Sequence, residues 1–165
     1  MTFFVQSTTP IQPKNKYIEF MSIAVAAVFV ILAVAQLYSY EDFPDVVASL
    51  WLPGGRIYAD VWAALIVTLE VAALPFLLAM QLSPAARVVS MVAGWGVVAL
   101  WLGIFVWENV TTNAIVNSGV LGATIPTMPS WWLVVLSVVF AGILAYVSSG
   151  KWPVGSRASL SSVKQ

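Results

Sequence analysis

Four long apolar stretches, separated by shorter polar segments, dominate the sequence. Each is close in length to the roughly 20 helical residues that cross a bilayer core about 30 Å thick. The pattern therefore predicts an all-α integral membrane protein, a four-transmembrane-helix bundle. The predicted membrane domain covers residues 17–149, and we place its helices at about 18–38, 58–81, 88–107 and 131–149.

The segment between the first two stretches, residues 39–53, follows a different pattern. Its apolar residues recur at intervals of three and four, which is the spacing of an amphipathic helix. Because the segment is too short to span a bilayer, we expect a short interfacial helix in the first outer loop. Ser39 and Asp42 resemble a capping box at its start, and Pro53-Gly54-Gly55 ends it. The apolar face consists of Phe43, Val46, Val47, Leu50 and Trp51.

Composition strengthens the membrane assignment. Hydrophobic residues make up 61% of the chain, charged residues 8%, and mean hydropathy is +0.93. Basic and acidic residues number seven each, so no net charge favours a nucleic-acid partner. The chain has no Cys and no His, which removes thiol chemistry and the usual zinc, haem and iron–sulfur ligands. We expect no metal site and no covalent cofactor, so any redox chemistry belongs to a partner or a bound small molecule.

The positions of the basic residues predict the orientation. Lys16 precedes the first helix, Arg87 lies in the connection between the second and third helices, and Lys151 begins the C-terminal tail. Basic residues are enriched on the cytoplasmic side of membrane proteins. We therefore expect both polar tails, residues 1–16 and 150–165, to be cytoplasmic in a multi-pass protein of a bacterial-type plasma (inner) membrane.

The first apolar stretch has an alternative interpretation as a cleaved signal peptide. Ala33-Val34-Ala35 resembles the small-residue cleavage site of such peptides, and basic residues precede the apolar run. The apolar run is longer than the core of a usual signal peptide, which favours a spanning helix.

Glu70 is the most informative residue of the sequence. It lies near the middle of the second apolar stretch, and none of the four stretches contains a Lys or Arg to pair with it. An ionised carboxylate at that depth costs a few kcal/mol or more. We therefore expect Glu70 to be protonated, hydrogen-bonded to neutral partners, or paired with something the chain does not supply. Ala59, Ala63 and Ala73 share its helix face, so we expect Glu70 to point into the bundle.

The third apolar stretch supplies a candidate partner for Glu70. Trp95 lies close to the expected depth of Glu70, and its indole N–H is a possible donor to the carboxyl group. Gly96, Ala99 and Gly103 share another face of the same helix. Small residues allow close approach of a neighbouring helix, so this face is predicted to be a second packing seam.

Three acidic residues of the first outer loop form a second group of candidates. Glu41, Asp42 and Asp45 have a solvated helix face as their simplest interpretation. The alternative is a binding site for a cation or a partner on the outer surface.

The run from Gln36 to Leu78 resembles the small four-helix membrane proteins of the DoxX/MauE type. The resemblance rests on Gln36-Leu37 at the end of the first helix, Phe43 in the short helix, the Leu52-Pro53 turn and the embedded Glu70. It implies an association with membrane redox systems, either thiosulfate oxidation linked to quinone or maturation of periplasmic dehydrogenases. Relatives often carry a Lys where this chain has Gln36. The resemblance thus makes Gln36 and Glu70 candidate residues for a ligand or proton site without a charge pair.

Three functional hypotheses follow. The first is a redox-associated accessory subunit, or quinone-linked partner, of a membrane or periplasmic oxidoreductase, with Glu70 at a quinone or proton site. The second is a small proton-coupled transporter that works as an oligomer. The third is a non-catalytic scaffold subunit in which Glu70 is a structural hydrogen-bonding residue. The expected partners are membrane lipid and either another redox protein or further copies of the chain.

Overall fold

The computed structural model describes residues 15–50, 52–111 and 116–151. The predicted tails, apart from Asn15, Lys16, Gly150 and Lys151, lie outside the described residues, as does Trp51. The described residues form five α-helices, and a 3-10 turn at Gly55–Tyr58 leads into the third. They are α1 (Lys16–Tyr38), α2 (Phe43–Ser49), α3 (Ala59–Leu77), α4 (Pro84–Val110) and α5 (Trp131–Lys151).

Helices α1, α3, α4 and α5 are long and apolar enough to cross a membrane, which confirms the predicted four-helix membrane bundle. Consecutive spans run in opposite directions. Lys16 and Lys151 therefore lie at one end of the bundle, here called the terminal end. The other end, which carries α2 and residues 116–130, is called the loop end. Many large apolar side chains point outward, including Ile31, Val92 and Val139, as expected for a surface that faces lipid.

Three helix boundaries differ from the prediction by three residues or more, and one of them is the end of α4, at Val110 instead of residue 107. Helix α3 ends at Leu77 instead of residue 81, because the chain turns through Ala79, whose φ is +51°. The amide of Met80 closes this turn by donating to the carbonyl of Pro75. Helix α4 begins earlier than predicted, at Pro84, because the Ser83 side chain accepts a hydrogen bond from the amide of Ala86 and caps the first turn.

The bundle interior follows the predicted face of α3. Ala59, Ala63 and Ala73 are at most 3% exposed, and Glu70 on the same face is fully buried. Small side chains let α1 and α4 pack closely on α3. A methyl group at Gly94 of α4 would lie 3.5 Å from the Cβ of Ala73, an ordinary van der Waals contact.

The second predicted packing seam is wrong. Ala99 and Gly103 are exposed and Gly96 is only half-buried, so this face of α4 points largely outward. The buried face of α4 instead carries large side chains such as Val97 and Trp101. A stripe of small residues shows that close approach is possible, but the fit of the larger side chains decides which face turns inward.

Helix α2 packs on α3 at the loop end through its predicted apolar face. Phe43, Val47 and Leu50 are buried, and Val46 is half-buried. The predicted capping box is wrong, because Asp42 makes no side-chain cap. Ser39, the other residue of the predicted box, makes different hydrogen bonds: its hydroxyl donates to the Ala35 carbonyl and accepts from the Ala123 amide.

A serine of α4 is inserted into the backbone ladder of α3. Pro75 has no N–H, so it removes one helical hydrogen bond near Glu70. In the next turn the Ser90 hydroxyl accepts from the Phe76 amide at 2.9 Å and donates to the Ala72 carbonyl at 2.6 Å. Ser90 thereby bridges two α3 groups that an undisturbed helix would bond to each other.

At the terminal end, the side chains of α1 and α5 close over the last turn of α3. The Ser22 hydroxyl donates to the Leu77 carbonyl at 2.5 Å, and the Lys151 ammonium donates to the same carbonyl at 2.6 Å. Lys151 is 3% exposed. A cation at a helix C-terminus complements the helix dipole, so Lys151 ties α5 to α3.

Candidate functional site at Glu70

Glu70 is held by two neutral donors from neighbouring helices. The Trp101 indole Nε1 of α4 donates to Glu70 Oε1 at 3.0 Å, and the Gln36 amide Nε2 of α1 donates to the same oxygen at 3.3 Å. Gln36 also donates to the Val120 carbonyl in the loop-end connection at 3.1 Å. Glu70 and Gln36 are both fully buried. Of the three situations expected for Glu70, the structure shows the second: its carboxyl group is hydrogen-bonded to neutral partners.

Helix direction explains why Gln36 and Glu70 meet. Side chains in an α-helix tilt toward its N-terminus. In α3 that tilt carries the Glu70 carboxyl toward the loop end, whereas in the antiparallel α1 it carries the Gln36 amide away from the loop end. Gln36 lies two residues before the end of α1, about 3 Å along the axis. The carboxyl group therefore lies nearer the loop end than the backbone position of Glu70 suggests.

Trp95, the donor expected from the sequence, does not fill this position. Its side chain is 38% exposed, whereas Trp101 is 5% exposed and supplies the indole N–H at Glu70. The same tilt accounts for the difference. Glu70 reaches toward the loop end and the Trp101 side chain reaches back from it, so their backbones are offset. The six residues from Trp95 to Trp101 correspond to about 9 Å of helix rise, which two long side chains together can span.

Two buried polar atoms of this site have no hydrogen-bond partner among the protein groups that the structure describes. They are Gln36 Oε1 and Glu70 Oε2. Leaving a buried polar atom unpaired costs about 1–3 kcal/mol, and such atoms are uncommon in native proteins. Gln36 Oε1 can only accept a hydrogen bond, and Glu70 Oε2 accepts one or, when protonated, donates one. The site is therefore chemically matched to a small polar group that carries a hydrogen-bond donor.

An apolar cavity of about 220 Å³ lies beside the site, between α1, α4 and α5. Trp101 belongs to both, since it lines the cavity while its N–H bonds to Glu70. Ser137 contributes a hydroxyl to the lining, but this hydroxyl donates to the Leu133 carbonyl. Val28 and Leu136 line the cavity and are 39% and 63% exposed, so the cavity is open to the lipid-facing surface.

Aromatic rings form much of the cavity wall. Phe29 of α1 and Phe140 of α5 lie with their ring centroids 5.6 Å apart. Trp101 and Phe105 of α4 stack at 5.5 Å. The cavity therefore offers an apolar, partly aromatic space reached from the bilayer.

The acidic candidates of the first outer loop are not part of this site. Glu41, Asp42 and Asp45 are exposed, and Asp45 forms a 2.7 Å salt bridge with exposed Arg56. An exposed ion pair contributes little to stability. Within residues 15–50, 52–111 and 116–151, no group of three or more potential metal-binding side chains is found.

Glu108 is a second buried carboxyl, and the predicted helix bounds, 88–107 and 131–149, placed it outside the helices. It lies in the last turns of α4 and is 4% exposed. Neither of its oxygens has a hydrogen-bond partner among the described residues. A sequence signal existed, because Glu108 follows Trp101 by seven residues, two helical turns, and so lies on the same face. The predicted helix ended at residue 107, which hid this relationship.

In comparisons with known proteins, no family model, no curated protein and no solved structure matches the chain. The DoxX/MauE resemblance therefore stays a prediction, and functional inference rests on the site itself. That site combines a buried carboxyl, neutral donors, two unpaired polar atoms and an adjoining apolar cavity. Such an arrangement suits a lipophilic molecule with a polar head, or the holding of a proton inside the bilayer.

Proposed function

We propose that this protein is a redox-associated membrane protein that binds a quinone-type molecule beside Glu70. In this proposal it serves as an accessory subunit, or quinone-linked partner, of a membrane or periplasmic oxidoreductase. The observation that carries the proposal is the shared position of Trp101, which lines a lipid-accessible apolar cavity and hydrogen-bonds the buried Glu70 carboxyl.

The size and lining of the cavity support a single-ring head group. An apolar cavity of about 150 Å³ is enough to bind benzene. The cavity here measures about 220 Å³ and has aromatic side chains along its wall. It accommodates a substituted six-membered ring, and an isoprenoid tail can pass between the exposed side chains of Val28 and Leu136 into the bilayer.

The unpaired atoms of the site support the reduced form as the ligand. A quinol carries hydroxyl donors, which complement the acceptors Gln36 Oε1 and Glu70 Oε2. Trp101 stands between these atoms and the cavity, so its side chain has to turn for a head group to reach them. Glu70 then accepts the hydrogen bond. When a partner protein takes the two electrons of the quinol, the ionised Glu70 carboxylate accepts one of the two protons released, and the other passes to water.

The resemblance to DoxX/MauE proteins supports the link to a membrane redox system. The positions of Lys16, Arg87 and Lys151 support cytoplasmic termini in a bacterial-type plasma membrane. Under this proposal the chain holds no covalent cofactor, and electrons pass to or from a separate redox protein. The absence of Cys and His from the chain is consistent with that division of roles.

The test is gentle extraction of the protein from its own membrane, followed by native mass spectrometry and analysis of the extracted lipid. We expect a quinone and an oxidoreductase subunit to be retained. Ser137→Phe places a large side chain in the cavity and should abolish quinone retention. Val138→Phe introduces the same side chain at the exposed neighbouring position and should leave quinone retention intact.

Three results would contradict the proposal. If the extracted wild-type protein carried no quinone, quinone would not be its ligand. If an oxidoreductase subunit were retained without quinone, the scaffold hypothesis would be favoured. Equal quinone retention by Ser137→Phe and the wild type would show that any bound quinone lies elsewhere.

A further inference from the structure

A backbone carbonyl fixes the orientation of the Gln36 amide group. Both hydrogens of Nε2 are used, one on the Val120 carbonyl at 3.1 Å and one on Glu70 Oε1 at 3.3 Å. A backbone carbonyl can only accept, so a reversed amide would set Gln36 Oε1 against a second acceptor. Because Gln36 is fully buried, such a contact is costly. The Val120 carbonyl therefore decides that Gln36 Oε1, and not Nε2, is without a partner among the described residues.

Val120 belongs to a tight turn, residues 119–122, whose two ends are held by one side chain. The Gly122 amide donates to the Gly119 carbonyl at 3.0 Å, which closes the turn. Asn117 Oδ1 accepts from the Gly119 amide at 3.0 Å, and Asn117 Nδ2 donates to the Gly122 carbonyl at 3.1 Å. Asn117 thus positions the turn that presents the Val120 carbonyl.

The same turn is seated against the end of α1. The Ala123 amide donates to the Ser39 hydroxyl at 2.8 Å. Gly122 has a φ of +71°, and a methyl group there would lie 2.7 Å from the Ala35 carbonyl oxygen and would also meet the Ser39 hydroxyl. Only glycine fits this backbone conformation and this close approach. The seating fixes the position of the turn, and of the carbonyl that binds Gln36, relative to α1.

The fixed amide determines which hydrogen-bonding groups of a ligand the site can pair. Glu70 Oε2 accepts or donates according to whether the carboxyl group carries a proton, whereas Gln36 Oε1 accepts in both states. A quinol offers hydroxyl donors, while the ring of a quinone offers only carbonyl acceptors. Val120 also lines the apolar cavity, so the turn contacts both the space proposed for the head group and the amide beside it.

We propose that residues 119–122, positioned by Asn117, determine which redox form of the ligand is bound, because they hold the Gln36 amide in the orientation that selects a quinol over a quinone. The inference rests on the proposed function, since it assigns the choice between two forms of the same ligand to named residues. Asn117 is a positioning residue that acts through Gln36. If the amide is free to turn, Nε2 can donate to a quinone carbonyl and the preference is lost.

The experiment compares two redox forms of one probe with the protein in lipid nanodiscs. The probes are a ubiquinone with one isoprene unit and its quinol, each loaded at known mole fractions without oxygen, and native mass spectrometry gives the two dissociation constants. We expect the wild type to bind the quinol about tenfold or more tightly, because a bound quinone leaves the Gln36 acceptor unpaired. The readout is the ratio of the two constants, since a variant that merely loosens the fold weakens binding of both forms alike.

Asn117→Ala removes the side chain that ties the ends of the turn, and we expect it to bind both forms with similar affinity. Asn109→Ala is the matched control. Both asparagines are half-buried, but the Asn109 side chain donates to the Phe105 carbonyl of its own helix, so this variant should keep the wild-type ratio. Asn117→Asp keeps the oxygen that accepts from the Gly119 amide and should give an intermediate ratio, even where the alanine variant does not fold.

Two glycines of the loop end provide an independent pair of variants. Gly122 and Gly55 both have a positive φ, +71° and +57°, so alanine strains the backbone at both positions. The new methyl group meets the Ala35 carbonyl and the Ser39 hydroxyl at Gly122, and nothing within 4 Å at Gly55. We expect Gly122→Ala to lower the ratio and Gly55→Ala to leave it unchanged.

The possible failures are distinguishable. A wild type that binds both forms equally well would overturn the inference, as would an unchanged ratio in both Asn117→Ala and Gly122→Ala. In either case the bound probe would still support the proposed function. Binding of neither form by the wild type would overturn the proposed function and the inference together.

Discussion

Trp101 Nε1 donates to Glu70 Oε1 at 3.0 Å, and this bond joins the third helix to the fourth in the bundle interior. Trp101→Phe removes the donor and keeps an aromatic ring. We expect a loss of about 1–3 kcal/mol in stability, because a buried acceptor loses one of its two donors. Thermal unfolding in detergent, followed by circular dichroism, measures the change.

Trp95→Phe is the matched control for this prediction. It makes the same chemical change on the same helix at a side chain that is 38% exposed. Its melting temperature should stay close to that of the wild type. Equal destabilisation by the two variants would show that the Glu70 contact contributes nothing specific.

The replacement of Glu70 separates its hydrogen-bonding role from its acidity. Glu70→Gln keeps a carbonyl oxygen that accepts from Gln36 and Trp101, so we expect stability within about 1 kcal/mol of the wild type. Glu70→Leu leaves the Trp101 N–H and one of the two Gln36 N–H groups unpaired, and it should cost about 1–3 kcal/mol for each. If the Gln variant were as unstable as the Leu variant, the structural contribution would lie in the carboxylate charge instead of the hydrogen bonds.

Substitution of Ser90 tests how much its hydroxyl contributes where it interrupts the backbone hydrogen bonding of α3. Ser90→Ala removes the hydroxyl that bridges Phe76 and Ala72, so we expect a loss of about 1 kcal/mol or more. Ser149→Ala is the control, because its exposed hydroxyl donates only to the Tyr146 carbonyl of its own helix. A stability of Ser90→Ala equal to that of the control would mean that α3 closes the gap by restoring its own hydrogen bond.

The packing face of α3 is tested by placing the same leucine substitution at two adjacent alanines. Ala63 is fully buried and Ala64 is exposed. Ala63→Leu forces extra volume between packed helices and should destabilise the bundle by about 1–3 kcal/mol. Ala64→Leu should be tolerated, since it enlarges the lipid-facing surface, and equal unfolding temperatures for the two variants would contradict the orientation of α3.

Properties that depend on local pattern were predictable from the sequence. The number of spans follows from apolar lengths matched to a bilayer, and the buried face of α3 follows from the spacing of Ala59, Ala63, Glu70 and Ala73. The apolar face of α2 was predictable for the same reason. Each of these features depends only on the spacing of apolar residues within one helix and on the thickness of the bilayer.

The partners of those residues were decided by tertiary structure. Trp101 and not Trp95 reaches Glu70, and the small-residue face of α4 points outward, because the mutual offset and rotation of two helices depend on all the side chains between them. The cavity between α1, α4 and α5 and the position of Glu108 arise in the same way. The sequence by itself determined that a carboxyl group is buried in the membrane bundle. Only the packing of antiparallel helices, whose side chains tilt in opposite directions, decided which groups surround it.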